Sequence, residues 1–226
     1  MAAIIRPIKM LFFLPPVTVM CCYIAITYGL LYLLFTTFTF VYQDIYGFNS
    51  RSAGLSFIAG GVGNILGLLL TGVLSDRIIK GKQAKGETPQ AEDRLNYAIT
   101  VPSAILLPMG LIMYGWTAEK HVHWIAPMIG TGVMGFGMMG VYMSVQVYLV
   151  DAYSAHAASV TAANAVLRSV LGAVIPLFGL ELYDALGLGW GNTLLGLILL
   201  ALAPVLWTFA KIGGRIRNSP RFKRSF

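Results

Sequence analysis

Apolar residues run along this chain in long blocks, and short polar breaks separate them. A helix needs about 20 largely apolar residues to cross the hydrocarbon core of a bilayer. Blocks of that size occupy residues 17–41, 53–74, 97–116, 124–150, 157–182 and 190–210. The pattern predicts an all-α membrane protein of six transmembrane helices in a single bundle. Pro15-Pro16 stands at the entry to the first span, where a missing N–H is tolerated. Arg6 and Lys9 ahead of an apolar run imitate a secretory leader. The run goes on to Val41, however, far past the roughly 7–15 residues of a leader core, and shows no small-residue cleavage site. The one substantial polar segment, residues 76–96, is expected to be a mobile cytosolic loop.

Composition agrees with this pattern. Of the 226 residues, 57% are hydrophobic and 11% charged, against about 45–50% and about 25% in soluble globular chains. Mean hydropathy is +0.74. Disordered and soluble nucleic-acid-binding classes are excluded, although the net charge is +7. The charge encodes orientation instead. Arg6, Lys9, Arg77, Lys80, Lys82, Lys85 and Arg94 fall on one side of the six-span plan. So do Lys211, Arg215, Arg217, Arg221, Lys223 and Arg224 of the basic tail 211–226. The other side has Arg51 and Lys120. Basic residues collect on the cytosolic side, so both termini are expected in the cytosol. Trp116, Trp124 and Trp190 fall at outer span ends, where aromatic rings favour the interface. The adjacent Cys21 and Cys22 cannot adopt ordinary disulfide geometry and read as small apolar residues.

Several constellations carry possible chemistry. Gly135-Phe-Gly-Met-Met-Gly140 matches GxGxxG, but it lies in mid-span without the strand a dinucleotide loop requires. Together with Gly63–Gly67 on the second span, it reads as close helix packing. His121 and His123 lack further ligands nearby, so no metal is expected. Asp44, Asp151, Glu181 and Asp184 are scattered between opposite ends of the spans, so no enzyme or cofactor is expected. Arg168 sits in mid-span, where an Arg costs about 2.5–3.5 kcal/mol on insertion scales. Asn164 lies one turn earlier on the same face. Together they read either as a substrate or coupling site or as a brace holding backbone carbonyls. Tyr142 and Gln146 share a face of the fourth span, which ends near Asp151. Tyr28, Tyr32, Phe35, Thr36 and Thr39 share a face of the first. Aromatic rings with hydroxyls suit a cavity for amphipathic or cationic solutes, or plain packing against lipid.

The end of the second span reads Gly72-Val-Leu-Ser-Asp76-Arg77-Ile-Ile-Lys80-Gly81-Lys82. It resembles the cytosolic signature loop of the major facilitator superfamily. Tyr28-Gly-Leu-Leu-Tyr-Leu-Leu-Phe-Thr-Thr37, Tyr114-Gly-Trp-Thr117, Tyr148-Leu-Val-Asp-Ala-Tyr153, Leu167-Arg-Ser169 and Gly189-Trp-Gly-Asn192 extend the likeness. They resemble the C-terminal half of fungal drug:proton antiporters of the twelve-span branch. The resemblance implies two six-helix bundles with a cavity between them at mid-membrane, of which this chain would be the second. The lipid bilayer, a small drug- or polyamine-like solute and an N-terminal half, in cis or in trans, are the partners it implies. The plasma membrane is the expected location. Tyr28, Tyr32, Phe35, Tyr142, Gln146, Asn164 and Arg168 would line the substrate cavity. Gly72, Asp76, Arg77 and Asp151 would form the gate. The other expectation is a truncated, transport-inactive module that associates with a partner membrane protein.

Overall fold

A computed structural model describes residues 7–8, 10–11 and 14–217, with side chains described as far as Gly214. The expected basic termini therefore lie largely outside the described residues. Among the described residues there are six long helices: α1 (Pro15–Phe40), α2 (Ser50–Ala84), α3 (Tyr97–Glu119), α4 (Ile125–Ala152), α5 (Ala157–Val174) and α6 (Gly179–Arg217). No strand occurs among the described residues. Pro15 and Pro16 occupy the first turn of α1. Asn49 and Asn96 cap α2 and α3, their side chains accepting from the N–H of Ser52 and Ala98, both at 2.9 Å.

The expected six spans become five continuous apolar helical stretches. The reason lies at the end of the chain. The 3-10 turn Ile175–Phe178 joins α5 directly to α6, so Ser154–Gly214 forms one stretch of 61 residues. A straight helix of that length would reach about 90 Å, three times the hydrocarbon thickness. It is not straight. Gly187 adopts φ 75°, ψ 171°, a region essentially restricted to glycine. Beyond it the chain folds back: the Tyr183 hydroxyl donates to Asn192 Oδ1 at 3.0 Å.

The expected loop 76–96 is also corrected. Helix α2 continues to Ala84, and Ala91–Leu95 is a 3-10 turn. Charges end the hydropathy signal at Leu74, but lysine, arginine and glutamine remain good helix formers beyond it.

The tightest packing runs through glycines. A Cβ on Gly63 would fall on the backbone of Gly132, and one on Gly67 would meet the backbone of Phe136. A Cβ on Gly137 would stand 2.5 Å from the Leu107 nitrogen and 2.7 Å from the Ser103 carbonyl oxygen. Both glycine runs are therefore packing surfaces: α4 lies backbone to backbone against α2 on one side and α3 on the other. Phe38, Tyr42, Tyr114, Met134 and Met138 fill the core at one end of the bundle, and Met20, Ile24, Val145 and Tyr148 fill it at the other.

Candidate functional site

Helices α1, α4 and α5 bring together three residues distant in sequence. The Arg168 guanidinium carbon lies 4.6 Å from the centre of the Tyr28 ring and 5.8 Å from that of Tyr142. Its Nη1 donates to the Tyr142 hydroxyl at 3.3 Å. The two rings meet edge-on at 5.3 Å. A cation–π contact of this kind contributes about 0.5–2 kcal/mol, more as water is excluded, and offsets part of the penalty of placing Arg168 in mid-span.

One turn away the stripe continues. Asn164 Nδ2 donates to Gln146 Oε1 at 2.6 Å, and Gln146 Nε2 donates to the Thr161 hydroxyl at 3.2 Å. Asn164 is only 2% exposed, and its Oδ1 is buried with no hydrogen-bond partner. Thr161 is thus a member of the cluster that helical periodicity did not single out.

Tyr32 and Phe35 lie farther along α1, and among the described residues the ring and hydrogen-bond contacts of Arg168 are with Tyr28 and Tyr142 instead. Tyr32 is 45% exposed and packs over Gly172. Phe35 meets Tyr32 at 6.5 Å and Phe57 of α2 at 5.5 Å, so it links α1 to α2. The Thr36 hydroxyl donates to its own helix at the Leu33 carbonyl, 2.9 Å away, which occupies its one proton.

Two of the expected gate residues, Asp76 and Asp151, are brought together through a third residue. Arg94, from the 3-10 turn, joins the helix ends. Its Nη1 lies 3.2 Å from Asp76 on α2, and its Nε lies 2.9 Å from Asp151 on α4. The same Nη1 donates to the Ser75 hydroxyl at 3.0 Å. Arg77 is exposed and enters none of the ion pairs among the described residues. A Cβ on Gly72 would meet open space. A second clasp, Lys82 to Asp93 at 2.7 Å, ties the end of α2 to the same turn. In sequence, Arg94 looked like one loop cation among several, and only the fold sets it between two carboxylates.

The opposite end of the bundle is aromatic. Trp116 and Trp190 meet edge-on at 5.6 Å, and Trp116 Nε1 donates to Thr193 at 3.0 Å. Glu119 Oε2 accepts from the Gly189 N–H at 2.5 Å, which holds the chain just past the Gly187 break.

Comparison with known proteins decides the family. The sequence profile of the Major Facilitator Superfamily matches residues 2–176. The chain belongs to that superfamily. Curated relatives agree over its whole length. It is 46% identical over 220 residues to "MFS-type transporter tndD" of Aspergillus flavipes, covering 96% of this chain and 41% of that protein. It is 49% identical over 224 residues to "MFS-type transporter penM" of Penicillium rubens, covering 99% of this chain and 44% of the relative. It is 48% identical over 217 residues to "MFS transporter eqxG" of Fusarium heterosporum, with 96% and 44% covered. These relatives are named as transporters, not enzymes. The superfamily chain described here spans less than half the length of each.

Proposed function

We propose that this chain is the second bundle of a two-bundle transporter that moves small amphipathic solutes across a membrane, in exchange for protons. Its last apolar stretch crosses twice, reversing at Gly187, which makes six spans with both termini cytosolic, in the plasma membrane. The observation that carries the reading is the stripe Tyr28, Tyr142, Arg168, Asn164 and Gln146. It sets aromatic faces, a cation and amides together between α1, α4 and α5. Tyr32 and Phe35 extend the apolar wall beyond it. Polar groups within a span that face the bundle or a cavity mark transport pathways. The profile match and the relatives' names support the same class. Asp76, Arg94 and Asp151 act as a cytosolic latch: ion pairs between helix ends hold one state and break when the bundles rock. The length of the relatives favours a second reading, in which the chain works as an associating module without flux of its own.

The test is flux in proteoliposomes under an imposed pH gradient. Liposomes contain either this chain alone or this chain with the first bundle of a full-length relative. Gradient-driven flux of rhodamine 6G or fluorescein only when both bundles are present supports the proposal. Stable assembly of the two bundles with no flux of either dye contradicts it and leaves the module reading.

A further inference from the structure

The same stripe names the chemistry of its solute, and this step rests on the transport reading above. We infer that the site recognises an acidic head group, a carboxylate or an enolate, on an otherwise apolar molecule. The sequence left the tyrosine face suited to an amphipathic or cationic solute, or to packing against lipid. In the structure that face already has a cation, because Arg168 lies 4.6 Å from the centre of the Tyr28 ring and donates to the Tyr142 hydroxyl. A second cation arriving there would meet like charge in a low-dielectric setting. Arg168 itself has no carboxylate within ion-pair distance among the described residues. A guanidinium offers five N–H donors in a planar fork that fits two oxygens at once, and the contact to Tyr142 takes up one of them.

A second observation points the same way. Asn164, one turn from Arg168 on α5, is buried with Oδ1 unpartnered. Its Nδ2 is already committed to Gln146. The site thus presents a surplus of fixed N–H donors from Arg168 beside one buried acceptor. An acid anion that also carries a separate hydroxyl supplies both complements: ionised oxygens for the guanidinium and a hydroxyl proton for Asn164 Oδ1. A carboxylate supplies the first and leaves Oδ1 to water. The tyrosine rings hold the apolar body of the molecule. An ammonium or a plain hydrocarbon supplies neither complement.

The experiment measures equilibrium binding of three probes of nearly equal size and apolar area, 2-naphthoate, 2-naphthamide and 2-naphthylmethylammonium, to this chain assembled with the first bundle of a full-length relative in neutral-lipid nanodiscs. Wild type is expected to bind 2-naphthoate at least about tenfold more tightly than either of the others, the scale of one charge-assisted hydrogen bond. Arg168→Gln is expected to abolish that preference. Arg168→Lys, which keeps the charge but loses the fork, should retain part of it. The probe ratio is the readout because a purely structural Arg would change all three affinities together. Equal binding, or tighter binding of the ammonium, overturns the acid preference and leaves the transport reading intact. A preference that survives in Arg168→Gln overturns the role of Arg168. Absence of binding of all three probes overturns this inference and counts against the transport site as well.

Discussion

At the residue scale, Arg168 carries most of the argument, and its substitution separates insertion from function. Removing a mid-span guanidinium relieves an insertion penalty of about 2.5–3.5 kcal/mol. Arg168→Ala is therefore expected to reach the membrane at normal or raised abundance. In a two-bundle assembly its flux should fall about tenfold or more, which initial-rate uptake normalised to protein level checks. Normal flux would return Arg168 to the role of a structural brace. The glycines make the complementary case. Gly137 has the Leu107 nitrogen and the Ser103 carbonyl where a Cβ would go, whereas Gly61 has nothing within 4 Å. Gly137→Leu should destabilise the α3–α4 contact by about 1–3 kcal/mol or more, the usual range for overpacking, while Gly61→Leu should be near neutral. Thermal unfolding in detergent of the pair decides it, and equal melting points would contradict the packing assignment.

At the scale of the elements, the apolar blocks announced the helices because the hydropathy signal and the helical signal coincide inside a bilayer. They part company at its edges. Helix α2 continues past Leu74 into charged residues that satisfy helix propensity but not hydropathy, so a loop was expected where helix stands from Asp76 to Ala84, about two and a half turns. Within α6 the opposite happens: the chain breaks at one glycine, Gly187, and no polar loop announces it. A Cβ at Gly187 would force a glycine-only backbone region and also approach Glu119 Oε2 at 2.9 Å. Gly187→Ala is expected to cost about 1–3 kcal/mol, read as a lower melting temperature, with Gly81→Ala, which has ordinary helical φ and open space for a Cβ, as the comparison. Periodicity on single helices grouped Tyr142 with Gln146 and Asn164 with Arg168, and in the fold Tyr142 meets Arg168 and Gln146 meets Asn164. It could not join one helix to another, so the seating of Arg168 on Tyr28 and the hydrogen bond from Gln146 to Thr161 were not legible. Arg94 was hidden for the same reason. Its two partners lie 18 and 57 residues away along the chain. The carboxylates of Asp76 and Asp151 are exposed, and ion pairs at such sites contribute about 0–1 kcal/mol to stability, so Asp76→Asn and Asp151→Asn should leave the melting point almost unchanged. Under the gate reading they should slow the transport cycle while leaving solute affinity intact, and a pure loss of affinity would contradict it.

At the scale of the whole molecule, burial is uneven, and the unevenness argues for a partner. Leu55, Ile58, Val62, Ile65, Leu69 and Val73 of α2 are exposed, as are Val166, Val170 and Val174 of α5. Lipid would cover such faces on its own, but the polar stripe does not suit lipid. Arg168 and Asn164 lie on the same helix as the exposed valines, and an unshielded guanidinium facing hydrocarbon is unfavourable. A second bundle placed across the stripe would enclose Arg168 in a cavity rather than in acyl chains, which fits the relatives, each more than twice the matched length. The expectation concerns mass. An antibody against residues 211–226 should reveal, in native membranes, a product at about twice 24.5 kDa or more, with both bundles in one polypeptide. A band at 24.5 kDa that co-purifies with a separate six-span protein would place the first bundle in trans and preserve the cavity. A band at that mass which runs alone, with Arg168 reactive to a membrane-soluble arginine reagent, would show the stripe facing lipid and remove the case for a two-bundle site.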